Sequence, residues 1–339
     1  MSTHPSPTTD RPAGEGLLVL DAATITELYP PEVAIESQRR AFTQLGLGVA
    51  QQPERLLMDG PGGSSTFCYA AKIAPDAPSV SKFGSVVPAN ARRGLPSISA
   101  VVMVLDAETG TPAALLDGTT VTTLRTAAAS AAAVERLAVA GADVLAVVGT
   151  GVQAEAHARL ISHALPLREV RIAGLDRQEA RGLAGRLADL DVTTVACDWA
   201  CEACAGAQVV ALCTTSLDPV LDDGDVAAGT TVVTVGSFAP DRAEVPTALM
   251  AGADLVVVDH REIAVAQAGS VVRAHAEGVL AHDELVELGA IFAGSHPGRT
   301  GSEQIVVHNS VGIGVQDAAA AEAILHAASV AGRGHRVSL

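Results

Sequence analysis

The run Leu145-Ala-Val-Val-Gly149-Thr-Gly151-Val152-Gln153-Ala154 reads as an apolar strand, a tight glycine turn and the start of a helix. Gly149 and Gly151 permit the sharp turn and let a phosphate approach backbone N–H groups, while Ala154 fills the small-residue position where helix meets sheet. The helix N-terminus at Val152 adds a dipole that favours an anion. This is a cradle for a dinucleotide pyrophosphate, and the expected cofactor is NAD or NADP. The next strand ends in Ile172-Ala173-Gly174-Leu175-Asp176-Arg177. An acid there would hold the ribose diol of NAD, and an arginine would meet the 2′-phosphate of NADP. Gly174 takes the place expected for the acid. Asp176 suits NAD or simply caps the following helix, and Arg177 suits NADP, so both nucleotides stay open.

Charge narrows the partners. The chain carries 22 Lys+Arg against 38 Asp+Glu, a net charge of −16, with only 2% aromatic residues. Nucleic acids and anionic membrane surfaces are repelled by such a chain, and base-stacking platforms are lacking. Lys72 and Lys82 are the only lysines. Cys197, Cys201 and Cys204, with Cys213 further on, lack the spacing of a metal site and read as packed thiols. The pair Asp222-Asp223 reads as a turn, so no metal is expected.

Two regimes position these residues. Leu17–Leu28 opens with an apolar run, and a helix follows from Pro30-Pro31 through Leu45. From Leu56 to Leu105 short strands alternate with turns, Ile98–Leu105 being the strongest, and Asp106–Gly110 turns into a strand over Ala113–Asp117. This half predicts an α+β lobe on an antiparallel sheet. A long helix over Thr122–Ala140, ended by Gly141, precedes the strands Val144–Val148, Glu169–Ala173, Val192–Ala196, Val209–Cys213, Thr231–Val235 and Leu255–Asp259. Short β-branched runs alternating with helices predict a doubly wound, Rossmann-type parallel sheet buried on both faces. Val311–Ala331 reads as a helix returning to the first lobe, and the residues around Arg336 as frayed. The expected division is a loose tail over 1–16, a substrate and dimerisation lobe over 17–121 with 311–339, and a nucleotide lobe over 122–310. With no secretory signal and no membrane-length apolar segment, a cytoplasmic protein is expected.

Several blocks together resemble the ornithine cyclodeaminase/μ-crystallin family. They are Lys82-Phe-Gly-Ser-Val-Val-Pro88-Ala-Asn90, Gly94-Leu-Pro-Ser97, Asp117-Gly118, Thr122-Thr-Leu-Arg125-Thr-Ala127, Gly149-Thr-Gly-Val-Gln153-Ala, Gly236-Ser-Phe-Ala-Pro240-Asp-Arg-Ala-Glu244 and Ser310-Val-Gly312. They span roughly residues 20 to 330 in the family's order. The resemblance implies a homodimer and a carboxylate clamp of Arg55, Lys82 and Arg125, suited to a small amino or imino acid. An arginine fork matches a carboxylate, and a lysine adds a compact charge and a proton. The resemblance also implies cofactor contacts from Ser97, Arg125, Val152, Gln153, Thr214 or Thr215, Gly236, Arg242 and Ser310. Lys82 and Arg125 are the implied catalytic residues. His308 and Asn309 precede the Ser310 turn and are candidates for the pocket lining, and Val311 is a further candidate for substrate contact.

One departure selects among branches of that family. The cyclodeaminases carry a catalytic aspartate in the Gly236 loop, where this chain has Phe238, which neither exchanges a proton nor holds an ammonium. Asp241 would replace it only in a remodelled loop. The Gly-Ser-Phe-Ala-Pro form resembles relatives that reduce imines or dehydrogenate amino acids. The expected reaction is therefore hydride transfer between a nicotinamide and the α-carbon of a carboxylated imine, in either direction. Redox-neutral cyclodeamination of ornithine or lysine, and ligand binding without turnover, are the alternatives.

Overall fold

The computed structural model describes residues 16–338, so the expected tail over 1–16 falls almost wholly outside the described residues. Strand β1 (Leu17–Leu20) and helices α1 (Ala22–Leu28) and α2 (Pro31–Gly46) open the chain. Strands β2 (Leu56–Asp59), β3 (Ser65–Ala71), β4 (Ser79–Val86), β5 (Ile98–Leu105) and β6 (Pro112–Asp117) follow. Helix α3 (Gly118–Leu137) then leads into β7 (Val144–Val148), α4 (Val152–Ala164), β8 (Glu169–Ala173), α5 (Arg177–Arg186) and β9 (Thr193–Ala196). Next come α6 (Ala200–Cys204), β10 (Val209–Leu212), β11 (Thr231–Thr234), α7 (Thr247–Gly252), β12 (Leu255–Val258), α8 (Arg261–Gln267) and α9 (Gly269–Ala276). The chain closes with β13 (Leu285–Glu287), α10 (Leu288–Phe292), β14 (Val306–Asn309), α11 (Gly314–Ala331) and β15 (His335–Val337).

The strands form two sheets. The first runs β15-β1-β6-β5-β4-β3-β2 and is antiparallel except where β1 lies parallel to β6. The second runs β13-β12-β14-β11-β10-β7-β8-β9, with every pair parallel. Its order reverses between β7 and β10, the switch point where doubly wound sheets bind nucleotides. Strands β7, β10, β11 and β12 are buried along their whole length, as β-branched strands covered on both faces must be.

Helix α3 ties the sheets together. Asp117 caps it, accepting the Thr120 N–H at 2.7 Å, and Gly118 brings it onto β5 so closely that a Cβ there would lie 2.7 Å from the Ala100 carbonyl carbon. It packs on α2, β5 and α4, and its alanine-rich middle is buried throughout. Helix α11 packs against α2, α3, β3 and β4. Among the described residues no helix is long and apolar enough to cross a membrane.

One expectation needs correction. The residues around Arg336 are not frayed: β15 pairs antiparallel with β1, Leu18 facing Arg336, and Arg336 Nη1 donates to the Gly16 carbonyl at 3.1 Å. β14 extends the parallel array between β11 and β12; its polar residues His308 and Asn309 hide its strand character.

Candidate active site

Lys82 lies in the middle of β4 with 1% of its surface exposed. Its Nζ donates to Asp317 Oδ1 at 2.9 Å and to Thr122 Oγ1 at 3.1 Å. Tyr69 stands directly opposite on β3, its ring centroid 4.8 Å from Nζ, a distance at which an ammonium gains from the ring's negative face. Arg125 reaches the same carboxylate from α3: Nε donates to Asp317 Oδ1 at 3.1 Å and Nη1 to Gln316 Oε1 at 3.2 Å. The guanidinium needs Gly312, where a Cβ would lie 2.7 Å from Nη1. Arg55, in the loop before β2, is half-buried, acts electrostatically on Lys82 and Tyr69, and leaves its buried Nε without a hydrogen-bond partner among the described residues.

Among the described residues Lys82, Arg125 and Arg55 carry three formal positive charges against the Asp317 carboxylate that Lys82 and Arg125 share, with Asp259 acting on Arg125 from further off, a local excess of cation on an acidic chain. Burial, and then the neighbouring Arg125 charge, push the Lys82 ammonium down to about 7, against the pull of Asp317. Burial works most strongly against the Arg125 charge, but Asp317, Tyr69 and Asp259 together hold the guanidinium above its ordinary value. Burial lowers Arg55. Such a cluster is suited to a small carboxylate, which would supply the missing negative charge and a planar partner for an arginine fork.

The expected nucleotide residues gather at one edge of the second sheet. Gly149 follows β7 with φ of +116°, and a Cβ there would lie 2.5 Å from the Cys213 carbonyl oxygen. Gly151 caps α4, and a Cβ on it would meet no atom within 4 Å. The first helical bond runs from Glu155 N–H to the Gly151 carbonyl at 3.1 Å, leaving the N–H groups of Val152, Gln153 and Ala154 without helical acceptors. Open space over a glycine beside free N–H groups fits a pyrophosphate.

Thr214 follows β10 and Gly236 follows β11, and one buried carboxylate joins them. Glu244 Oε1 accepts the Thr214 N–H and Oγ1–H at 2.7 and 2.8 Å. Its Oε2 accepts the Val235 and Gly236 N–H groups at 3.0 and 2.7 Å. Burial pushes Glu244 up to about 7 even against these donors. Ser310 follows β14; its Oγ donates to Asp259 Oδ2 at 3.1 Å, which also accepts the N–H groups of Val311 and Gly312. His308 Nε2 lies 3.3 Å from Asp259 Oδ1. Burial alone would raise Asp259, but His308 and these donors hold it below the usual carboxylate range. Gly312, next in line, touches Arg125, so the strand-end residues and the cationic cluster are continuous.

Other expected residues are placed differently. Asp176 Oδ1 accepts the Gln178 N–H at 2.5 Å as the cap of α5, and Arg177 pairs with Asp198. Gly174 lies under Thr150, whose Cγ2 would be 2.7 Å from a Cβ. The guanidinium of Arg242 stacks over the Phe238 ring at 5.0 Å. Asp241 is exposed, its carbonyl accepting from Arg273. Ser97 is half-buried before β5, its carbonyl accepting the Val87 N–H at 2.7 Å. Neither Ser97 nor Arg242 is hydrogen-bonded to the cationic cluster among the described residues. No group of three or more His, Cys, Asp or Glu side chains among them could hold a metal ion.

Sequence reasoning missed Asp317, Glu244 and Asp259 as anchors. Asp317 had a signal: it is the only charged residue between Ser310 and Glu322, in a helix buried against the lobe holding Lys82.

Comparison with known proteins agrees with this architecture. Residues 19–331 match the model of the ornithine cyclodeaminase/mu-crystallin family. A Delta(1)-pyrroline-2-carboxylate reductase of Bacillus cereus is 32% identical over 258 residues, 76% of this chain and 79% of that one. The structure of the Thermococcus litoralis Delta(1)-pyrroline-2-carboxylate reductase in complex with NADH and L-proline superposes with a TM-score of 0.91 at 27% identity, over 95% of this chain and 100% of that one. An archaeal alanine dehydrogenase dimer with bound NAD superposes with a TM-score of 0.90 at 25% identity, over 95% and 99% of the two chains.

Proposed function

The chain belongs to the ornithine cyclodeaminase/mu-crystallin family, and we propose that it is the member's imine-reducing chemistry that this site performs: NAD(P)H-dependent reduction of a carboxylated imine, or the reverse dehydrogenation of an amino acid. The observation that carries this reading is the buried cluster of Lys82 and Arg125, with Arg55 beside it, at the strand ends of a nucleotide-binding sheet. A cyclic imino acid such as a pyrroline- or piperideine-2-carboxylate, an α-imino acid, or the imine of an amine and a 2-oxo acid has the required carboxylate. The relative bound to NADH and L-proline favours the cyclic imino acids.

When bound, NADH or NADPH supplies the hydride that the imine carbon accepts. Gly149, Gly151 and the α4 N-terminus hold its pyrophosphate, with Thr214 and Gly236 along the strand ends and Ser310 and Val311 on the substrate side. Arg55 and Arg125 hold the substrate carboxylate and fix the orientation of the α-carbon. Lys82 gives a proton to the imine nitrogen as that nitrogen takes the C=N electron pair, and the neutral amine regains a proton from solvent. One imine, one hydride and one proton thus give one amine. Phe238 contributes an apolar wall stacked on Arg242 and no acid or base, which disfavours cyclodeamination.

The outer face of the first sheet supports a homodimer. Leu56, Cys68, Phe83 and Val101 form one cross-strand row, and Leu56, Phe83 and Val101 are 69%, 50% and 43% exposed. A row of large apolar side chains facing outward from neighbouring strands is suited to burial against a second copy.

The reaction is tested by following the near-ultraviolet absorbance of NADH and NADPH with a panel of cyclic and N-alkyl imino acids. Consumption of nucleotide that depends on the imino acid is expected. Ammonia release from ornithine or lysine with no net change in nucleotide would overturn the reading in favour of cyclodeamination.

A further inference from the structure

Two cations buried side by side repel each other, yet Lys82 and Arg125 share one acceptor. Asp317 lies in the first turn of α11, fully buried, and a single oxygen, Oδ1, accepts from both. We propose that Asp317 is the positioning residue of the reaction: it keeps the Lys82 ammonium charged and aimed, and fixes the Arg125 fork beside it. The inference rests on the reductase reading for its chemistry and on geometry for its placement.

The surroundings of Nζ leave that role to Asp317. Thr122 donates its own hydroxyl proton to the Gly118 carbonyl at 2.6 Å, so its oxygen serves Lys82 only as a neutral acceptor. Tyr69 presents a ring face. The charged groups acting on Lys82 are Arg125 and Arg55, both cationic, and Asp317. Among the described residues Asp317 is the anion that contacts the ammonium; Glu54, next to Arg55, is exposed. Of the three ammonium N–H groups, two go to Asp317 and Thr122, which leaves the third for a substrate nitrogen. The second oxygen, Oδ2, is buried without a partner among the described residues, so the carboxylate is held through Oδ1 alone.

The backbone fixes where that carboxylate stands. Gln316 Oε1 accepts the Ile313 N–H at 2.8 Å as well as Arg125 Nη1, and Gln52 Oε1 accepts the Val315 N–H at 2.9 Å. Gly314 lets α11 start against β3, where a Cβ would lie 3.1 Å from that of Ala71. The start of α11 is therefore locked to Arg125, to Gln52 and to β3.

The composition of the chain makes the test direct. Lys72 and Lys82 are its only lysines, and Lys72 Nζ is exposed and donates to the Pro75 carbonyl. NMR of the full chain carrying lysine isotope-labelled at Cε then follows each titration separately, without reference to any activity. In Asp317→Asn the Lys82 midpoint is expected to fall by at least about one pH unit, the effect of removing an opposite charge at contact distance, while Lys72 does not move. Asp317→Glu, which restores the charge, is expected to recover at least half of the shift. An unchanged or raised Lys82 midpoint in folded Asp317→Asn overturns the proposal. The pH profile of kcat/KM for imine reduction supplies the chemical arm: its descending limb should move down with the same variant while nucleotide affinity stays within about twofold. Absence of any reductase activity in the parent chain would sink the reductase reading and leave the NMR result standing.

Discussion

Lys82 and Phe83 are neighbours on β4 whose side chains leave opposite faces of the sheet, one 1% and the other 50% exposed. Strand alternation makes this unavoidable. The consequence is that the cationic cluster and the outward apolar row are the two sides of a single sheet, so an interface on the outer face would brace the strand that carries the lysine.

That outer face yields the first prediction. A charge placed in the row, as Phe83→Glu or Val101→Glu, is expected to shift the protein from dimer to monomer in sedimentation equilibrium at micromolar concentration. A parent chain that is itself monomeric, or variants that remain dimeric, would contradict the proposed interface.

The clamp predicts separable kinetic effects. Arg55→Ala should raise KM for the imino acid at least about tenfold, the loss of one charge-assisted contact, with nucleotide affinity little changed. Lys82→Ala should lower kcat as well, since it removes both a contact and the proton. Steady-state kinetics with the two variants checks this, and parent-like values in both would refute the clamp.

Lys82 also sets a pH dependence. With its ammonium pushed to about 7 in the folded protein, imine reduction should slow as pH rises above about 7, and amino-acid oxidation, which needs the neutral amine, should speed up. The stability consequence has a definite sign. The folded value lies below the ordinary 10.5, so between about 7 and 10.5 the unfolded chain binds more protons and stability rises with pH through this group. Lys82→Met should remove that contribution, visible as a flatter difference in denaturant midpoint across the same range.

The strand ends depend on Glu244. Its two oxygens accept four bonds from Thr214, Val235 and Gly236, and Glu244→Ala would leave those donors buried and unpaired. A loss of about 3 kcal/mol or more is expected, with weaker nucleotide binding because both loops lose their shared anchor. Urea unfolding together with nucleotide fluorescence titration measures the two effects.

The parts of the fold most legible beforehand were those governed by local pattern. Strands over Ile98–Leu105, Val144–Val148 and Glu169–Ala173 match their expected limits, because short apolar or alternating runs rich in Val and Ile have a period that local pattern reports. Helix α3 starts at Gly118 instead of Thr122, since the Asp117 cap and the close approach to Ala100 depend on tertiary contact. β14 is hidden in the sequence because His308 and Asn309 are polar yet buried, with His308 Nε2 paired to Asp259 just past β12 and Asn309 Nδ2 to Thr234 of β11. The Lys82–Asp317 pair spans 235 residues of sequence, a separation no local period reports. The glycine cradle could be read in advance because its chemistry is written in consecutive residues; the charge balance of the cationic cluster could not.

The most direct measurement of the central claim is the fate of the hydride. Nucleotide deuterated at the nicotinamide C4 position is incubated with the protein and 1-pyrroline-2-carboxylate, and the product is examined by NMR and mass spectrometry. Deuterium at the α-carbon of the amino acid formed, in step with nucleotide consumed, is the predicted result. A product without deuterium at that carbon, or no turnover of this or any other carboxylated imine in the panel, would contradict the assignment.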